Sequence, residues 1–292
     1  MEIEGMKLSV INKENLEKIA EFMAAMNVRK ENHIGYCGDN KEEILETLQE
    51  DFLSNKSLMF LSNEKEIVAV LGVDLDIENE TAEIHGPFVD EKYGVNLALK
   101  LWNNILPLIP NEINKANMFF NYKNSLAMKF SNSLNFNFKS NEFVLSLNRE
   151  DRIENLSDGV RILKDDEKEE FIKLHDNIFP NTYYSGDMII NKINLKNKVY
   201  IYKDKNEIQG YIYVEVHPEA QQGNIEYLGV GPNFRGRGLG VKLLSMAIDF
   251  VFSHDVIMEI ILCVNCDNEA IKLYKKCGFK EKNFLKFYQL YL

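Results

Sequence analysis

The stretch Gly231-Pro232-Asn233-Phe234-Arg235-Gly236-Arg237-Gly238-Leu239-Gly240 decides how this chain is read. Ahead of it runs Ile225-Glu226-Tyr227-Leu228-Gly229-Val230, with the alternation of a strand, and behind it Val241, Leu243, Leu244, Ile248 and Val251 recur at helical spacing. The segment is therefore a strand, a glycine loop and a helix. Glycines at 236, 238 and 240 leave backbone N–H groups unshielded by side chains, and the helix N-terminus behind them adds roughly half a positive charge. Such a loop is shaped to hold a pyrophosphate. Two common phosphate-binding patterns do not fit. From Gly236 the third glycine falls at Gly240, which gives G-x-G-x-G in place of G-x-G-x-x-G, and the loop lacks a G-K-[ST] ending. The pattern that fits is R-x-x-G-x-G, filled by Arg235, Gly238 and Gly240.

At 292 residues the chain has room for two domains, each with its own core. Its hydrophobic content of 45% and charged content of 27% are those of an ordinary globular protein. A formal net charge of −11, concentrated in the first half, argues against a nucleic-acid partner and would attract a cationic amine. No basic leader precedes an apolar stretch, and no apolar run approaches a membrane span, so a cytoplasmic protein without a membrane partner is expected. Four cysteines, at 37, 263, 266 and 277, make no disulfide framework. Cys263-Val264-Asn265-Cys266 spells C-x-x-C without a second pair, so no metal site is expected from it.

The chain repeats itself. Residues 60–75 and 201–216 each read as an apolar strand, a polar turn and a second strand; at the same offset Ile84 lies over Ile225 and Val89 over Val230. Both halves then pass into a helix, 94–109 in one and 239–252 in the other. With three more residues in the second half, Asn121 meets Asn265, Asn124 meets Asn268 and Phe130 meets Tyr274. Each half opens with a short strand and a helix, 7–11 then 15–26 and 160–163 then 166–178. Each closes with strands rich in Phe, Tyr and Leu, 138–147 and 284–290. The expected fold class is α/β, with a mixed sheet, in two tandem copies of β-α-α-β-β-β-α-β-α-β. The copies span 1–148 and 159–292, and the polar, turn-rich stretch 149–158 reads as the linker.

The glycine loop, with its strand and helix, resembles the acyl-CoA signature of the GNAT superfamily of N-acetyltransferases. Residues 263–279 are similar to that family's second CoA motif, N-x-A-x-x-L-Y-x-x-x-G-F, and the two copies together resemble a tandem GNAT protein. The resemblance is sharper in the second copy. In the first, Gly94-Val95-Asn96-Leu97-Ala98-Leu99 puts bulky side chains where the loop must stay bare, and Phe130 lacks the hydroxyl of Tyr274. The first copy is therefore expected to be degenerate.

The resemblance implies a transferase that moves an acetyl group from acetyl-CoA to a primary amine of a small molecule or peptide. It assigns Leu228, Gly229 and Val230 to the pantetheine arm and thioester, and the loop Arg235, Gly236, Arg237, Gly238, Leu239 and Gly240 to the pyrophosphate. Asn268 caps a helix by the ordinary preference of Asn and, in the family, touches the CoA arm. Tyr274 becomes the general acid, since a phenol of pKa about 10 suits a thiolate leaving group. Glu226 is the favoured base, on a strand face that the two-residue period shares with Leu228 and Val230. Glu215 and His217 are rival bases. Tyr183-Tyr184 sits where family members build acceptor pockets. Two alternatives stay open: a non-catalytic acyl-CoA sensor or interaction protein, and a donor other than acetyl.

Overall fold

A computed structural model describes residues 5–38, 40–64, 66–153, 157–180 and 182–292. In chain order the first copy is β1 (Lys7–Val10), α1 (Leu16–Asn27), α2 (Lys41–Thr47), β2 (Leu58–Ser62), β3 (Ile67–Asp76), β4 (Thr81–Val89), α3 (Val95–Ile105), β5 (Lys115–Asn121), α4 (Ser125–Ser133) and β6 (Asn137–Asn148). The second is β7 (Val160–Ile162), α5 (Lys168–Ile178), α6 (Gly186–Lys192), β8 (Lys198–Asp204), β9 (Glu207–His217), β10 (Gln222–Val230), α7 (Leu239–Phe252), β11 (Glu259–Asn265), α8 (Ala270–Lys276) and β12 (Lys280–Tyr291). The expected order of ten elements is present twice. Helix α3 stops at Ile105, short of the expected 109, because Pro107 cannot supply the amide an α-helix needs and Leu106–Leu108 tightens into a 3-10 turn. Among the described residues no helix is long and apolar enough to cross a membrane.

The chain forms two compact units, and their membership differs from the order along the sequence. One contains residues 1–142 and 283–292, the other 143–282. The N-terminal unit orders its strands β1-β2-β3-β4-β5-β12, and the C-terminal unit β7-β8-β9-β10-β11-β6. The repeat predicts that each sequence half closes with its own aromatic strand, yet each unit takes the closing strand of the other half. Leu285 to Tyr291 pair antiparallel with Asn121 to Lys115, Tyr288 stacks on Phe120 at 5.4 Å between centroids, and Leu285 is 1% exposed. Leu145 and Leu147 instead lie in the core of the C-terminal unit.

Arg149, in the stretch read as a linker, holds this arrangement on the C-terminal side. Its guanidinium donates to the carbonyls of Ile257 (2.7 Å), Phe252 (2.9 Å) and His254 (2.6 Å), so it satisfies acceptors left open at the end of α7. Residues 154–156 of that stretch lie outside the described residues.

In the C-terminal unit β9 is buried on both faces and sorts its side chains by parity. Ile212, Val214 and Val216 join Leu243, Leu244, Ala247, Ile248 and Val251 of α7 in one cluster. Tyr211 and Tyr213 join Phe171 of α5 and Ile189 of α6 in another. The sheet is thus covered by α7 and α8 on one face and by α5 and α6 on the other, as a strand with apolar residues at nearly every position requires.

The exchange of closing strands has a local test. Leu285→Ala removes a buried side chain from the N-terminal unit at a cost of about 2–5 kcal/mol. Hydrogen exchange in this variant is expected to accelerate in β5, its partner strand, and not in β11. Acceleration confined to β11 would show that β12 closes its own half.

Candidate active site

Strand β10 controls the site. It pairs in parallel with β11 only at Gln222, Gly223 and Asn224, opposite Glu259, Ile260 and Ile261. Its pairing with β9 on the other edge continues to Val230, with a register shift between Ile225 and Tyr227. Beyond Asn224, β10 has therefore parted from β11; the Gly231 amide bonds to Gln209 of β9, so by the two-residue alternation Gly229 also faces β9 while the backbone groups of Leu228 and Val230 face the opened edge. A bulge adds twist, which is how a strand leaves one neighbour while keeping the other.

The bulge also moves Glu226. A regular period would place it with Leu228 and Val230, and this expectation is corrected: those two residues pack on the α7 side, whereas Glu226 feels the charges of Glu215 and of Lys192 on α6 and bonds to Asn224. Glu226 is half-buried, and burial, reinforced by the Glu215 charge, pushes its carboxyl up to about 7. Glu215 is itself buried. It accepts a 2.6 Å hydrogen bond from the Tyr213 hydroxyl, and its other oxygen lies 3.7 Å from His217 Nε2. Of the two rival bases, Glu215 is close enough for its charge to act on Glu226, and it is engaged by its own partners.

The glycine loop starts with a 3-10 turn, Pro232–Phe234, anchored by the Gly231 amide on the Gln209 carbonyl at 2.9 Å. Gly236 and Gly238 have φ of +76° and +78°, and a Cβ built on either meets no atom within 4 Å. Here glycine is needed for the left-handed backbone, and it leaves open space over the loop. Gly240 has a different reason. A Cβ there would come within 2.6 Å of Leu273 Cδ1, so Gly240 lets α7 pack closely on α8.

Gly238 is the N-cap of α7 and supplies no side-chain cap; the Val241 amide turns back to the Gly238 carbonyl at 3.1 Å, which leaves the amides of Leu239 and Gly240 for another acceptor. Leu239 is buried and roots that first turn. Arg235 Nε donates to the Val230 carbonyl at 3.1 Å, which ties the loop to the strand end. Arg237 donates to the Asn233 carbonyl at 3.0 Å and lies over the Phe234 ring at 5.5 Å.

Helix α8 comes directly after β11, so it borders the opening from the other side. The N-cap of α8 is Glu269, which makes no side-chain capping bond; Asn268, one residue earlier, accepts the Ala270 amide on its Oδ1 at 2.9 Å. Tyr274 is 8% exposed and shares the cluster of Leu228 and Val230. Its ring meets Phe279 edge-on at 6.0 Å, and burial pushes the phenol up to about 12. It therefore stays protonated through the working pH range.

A second network, which the sequence does not disclose, fixes the α5 side of β10. Buried His175 on α5 makes two hydrogen bonds, Nδ1 with the Tyr211 hydroxyl at 2.6 Å and Nε2 with the Tyr184 carbonyl at 2.8 Å. A carbonyl can only accept, so Nε2 carries the proton and Nδ1 accepts from Tyr211. The Tyr227 hydroxyl is bonded by the Tyr184 amide (3.1 Å) and Thr182 Oγ1 (3.0 Å). The Tyr183-Tyr184 loop is thereby pinned to β10, and Tyr183 points outward, 58% exposed. A Cβ on Gly229 would strike Tyr211 at 2.6 Å, so that glycine admits the ring. The signal in the sequence is the stripe Phe171, His175, Phe179, a polar residue at helical spacing between two aromatics.

The acetyltransferase (GNAT) family model matches residues 164–279. The mycothiol acetyltransferase of Corynebacterium glutamicum (strain R) is 37% identical over 78 residues, which are 26% of this chain and 26% of that protein. A GCN5-related N-acetyltransferase from Sphaerobacter thermophilus superimposes with a TM-score of 0.77 at 16% identity, over 100% of this chain and 97% of that one. A tandem GNAT protein from the clavulanic acid biosynthesis pathway does so with a TM-score of 0.67 at 12% identity, over 98% of each. Residues 164–279 belong to the GNAT acetyltransferase family, and the chain as a whole has the tandem GNAT fold.

Proposed function

We propose that the C-terminal unit transfers an acetyl group from acetyl-CoA to a primary amine of a small molecule or peptide by direct attack. The observation that carries this reading is the freed edge of β10 running into a loop of bare glycines at an uncapped helix N-terminus. An acyl-CoA needs both parts: a backbone edge along its arm and donors at its pyrophosphate. The residues fit. Open space over Gly236 and Gly238, the amides of Leu239 and Gly240 at the start of α7 and the charges of Arg235 and Arg237 suit an anionic diphosphate.

When bound, acetyl-CoA supplies a thioester whose acyl carbon an amine can attack. On the stretch Leu228, Gly229 and Val230, the backbone of Leu228 and the Val230 amide face the opened edge and are offered to the arm and to the thioester carbonyl, where negative charge develops. Glu226 accepts the ammonium proton, and a carboxyl near 7 populates its basic form around neutrality. Tyr274 donates its phenolic proton to the departing sulfur. The C–N bond forms as the C–S bond breaks: the ammonium first gives one proton to Glu226, Tyr274 protonates the departing sulfur, and the second proton that nitrogen loses on becoming an amide restores the Tyr274 phenol. Asn268 sets the start of the helix that carries Tyr274. The paired negative charges of Glu226 and Glu215 favour an acceptor that arrives as a cation.

Two variants test the assignment. Tyr274→Phe is expected to lower kcat by about 10²-fold while acetyl-CoA binds as before, as read by thiol release and by calorimetry; full turnover would remove Tyr274 from the mechanism. For Glu226 the sign is set by its raised pKa: the basic form is lost as pH falls, so kcat/KM declines below pH about 7. Glu226→Gln is expected to abolish that acid limb along with most activity. An unchanged profile would move the base to another group.

A further inference from the structure

The N-terminal unit has its own cluster on the corresponding strands. Asp74 on β3 is the cross-strand partner of Glu83 on β4, and Gly72 is the partner of His85. Glu83 and His85 are two residues apart, so the three side chains share one face of the sheet. One ligand atom from each lies within 4.8 Å of the other two. None of this is a sequence motif; strand register assembles it.

His85 is the observation that points to a ligand. It is 4% exposed, and its plane is fixed by Tyr36, stacked at 6.2 Å, and Phe52, edge-on at 5.0 Å. Among the described residues its imidazole makes no hydrogen bond or ion pair and no ring contact beyond these two. Buried polar groups without partners are costly and rare. Asp74 and Glu83 are half-buried and form no ion pair with a lysine or arginine among the described residues. Asp51 and Asp76 add further negative charge to Asp74. A neighbourhood with several carboxylates, one imidazole without a hydrogen-bond partner and, among the described residues, no paired lysine or arginine is suited to a multivalent cation.

We propose that Asp74, Glu83 and His85 form a divalent-metal site in the N-terminal unit. One imidazole nitrogen with two carboxylate oxygens is a ligand set for a borderline ion of the zinc class, and the fourth position is left for water. Metal–ligand bonds of about 2.0–2.2 Å bring such atoms to roughly 3.3 Å from each other, so the two half-buried carboxylates close on His85 by side-chain rotation. The site lies where β4 leaves β5, whose pairing ends at Glu83 and Asn117. A bound ion clamps β3 to β4 there and makes stability of the unit metal-dependent.

The test uses the full chain, stripped with a chelator and dialysed, then titrated with Co²⁺ by visible absorption and with Zn²⁺ by competition. The expected result is one equivalent of Co²⁺, displaced by Zn²⁺, and an increase in Tm with Zn²⁺. His85→Ala and Asp74→Asn are each expected to weaken binding at least tenfold, whereas the double variant Cys263→Ser, Cys266→Ser binds as the parent does. Asp74→Asn alters a half-buried side chain and decides the matter if His85→Ala does not fold by circular dichroism. No saturable binding, or binding that is lost with the two cysteines and survives Asp74→Asn, overturns the site.

Discussion

The parting of β10 from β11 after Asn224 is the constraint on which the C-terminal unit depends. A strand released on one edge exposes unpaired backbone groups, which would ordinarily be a liability. Here the other edge stays paired to β9 through Val230, and the side chains along β10 are gripped from both faces. Leu228 and Val230 are held in the α7 cluster, and Tyr227 is held by Thr182 and Tyr184. The freed edge is therefore rigid. It runs directly into the glycine loop, and Arg235 reaches back to Val230 to set the angle between them.

The same parting occurs in the N-terminal unit, where β4 pairs with β5 only at Thr81, Ala82 and Glu83. The segment after β4 is different. Asp90 to Gly94 form a short turn, and α3 starts at once with Val95. Without left-handed glycines or an extended loop there is no cradle for a diphosphate, and the position of Tyr274 is filled by Phe130, packed edge-on against Trp102 at 6.1 Å. One architecture has therefore kept its opening and changed its lining, with Asp74, Glu83 and His85 gathered on the strands that in the other unit carry Glu215 and Glu226.

Much of this is legible in the sequence, because it rests on local chemistry. The glycine loop, the ten-element repeat, the turn at Asn268 and the start and end of α7 come from glycine spacing, helical periodicity and side-chain preference over short windows. The rest depends on pairings that are distant along the chain. Residues 138–147 and 284–290 have the same Phe, Tyr and Leu character, so composition does not say which unit each closes; the packing of Tyr288 on Phe120 does. The face of Glu226 escapes a two-residue period because that period assumes an unbroken ladder, and the bulge breaks it. Gly240 belongs by spacing with the other loop glycines, though its role is the close approach of Leu273. His175 reveals its importance only when Tyr211 and Tyr184 are seen against it.

The central claim is that one opening of the two, that between β10 and β11, receives an acyl-CoA. Hydrogen–deuterium exchange of the full chain with and without acetyl-CoA tests it most directly, because backbone amides are the proposed donors. The account predicts protection across residues 228–240 and at the start of α8, with residues 89–98 unchanged. Protection at 89–98, or none at 228–240 under saturating acetyl-CoA, would contradict it.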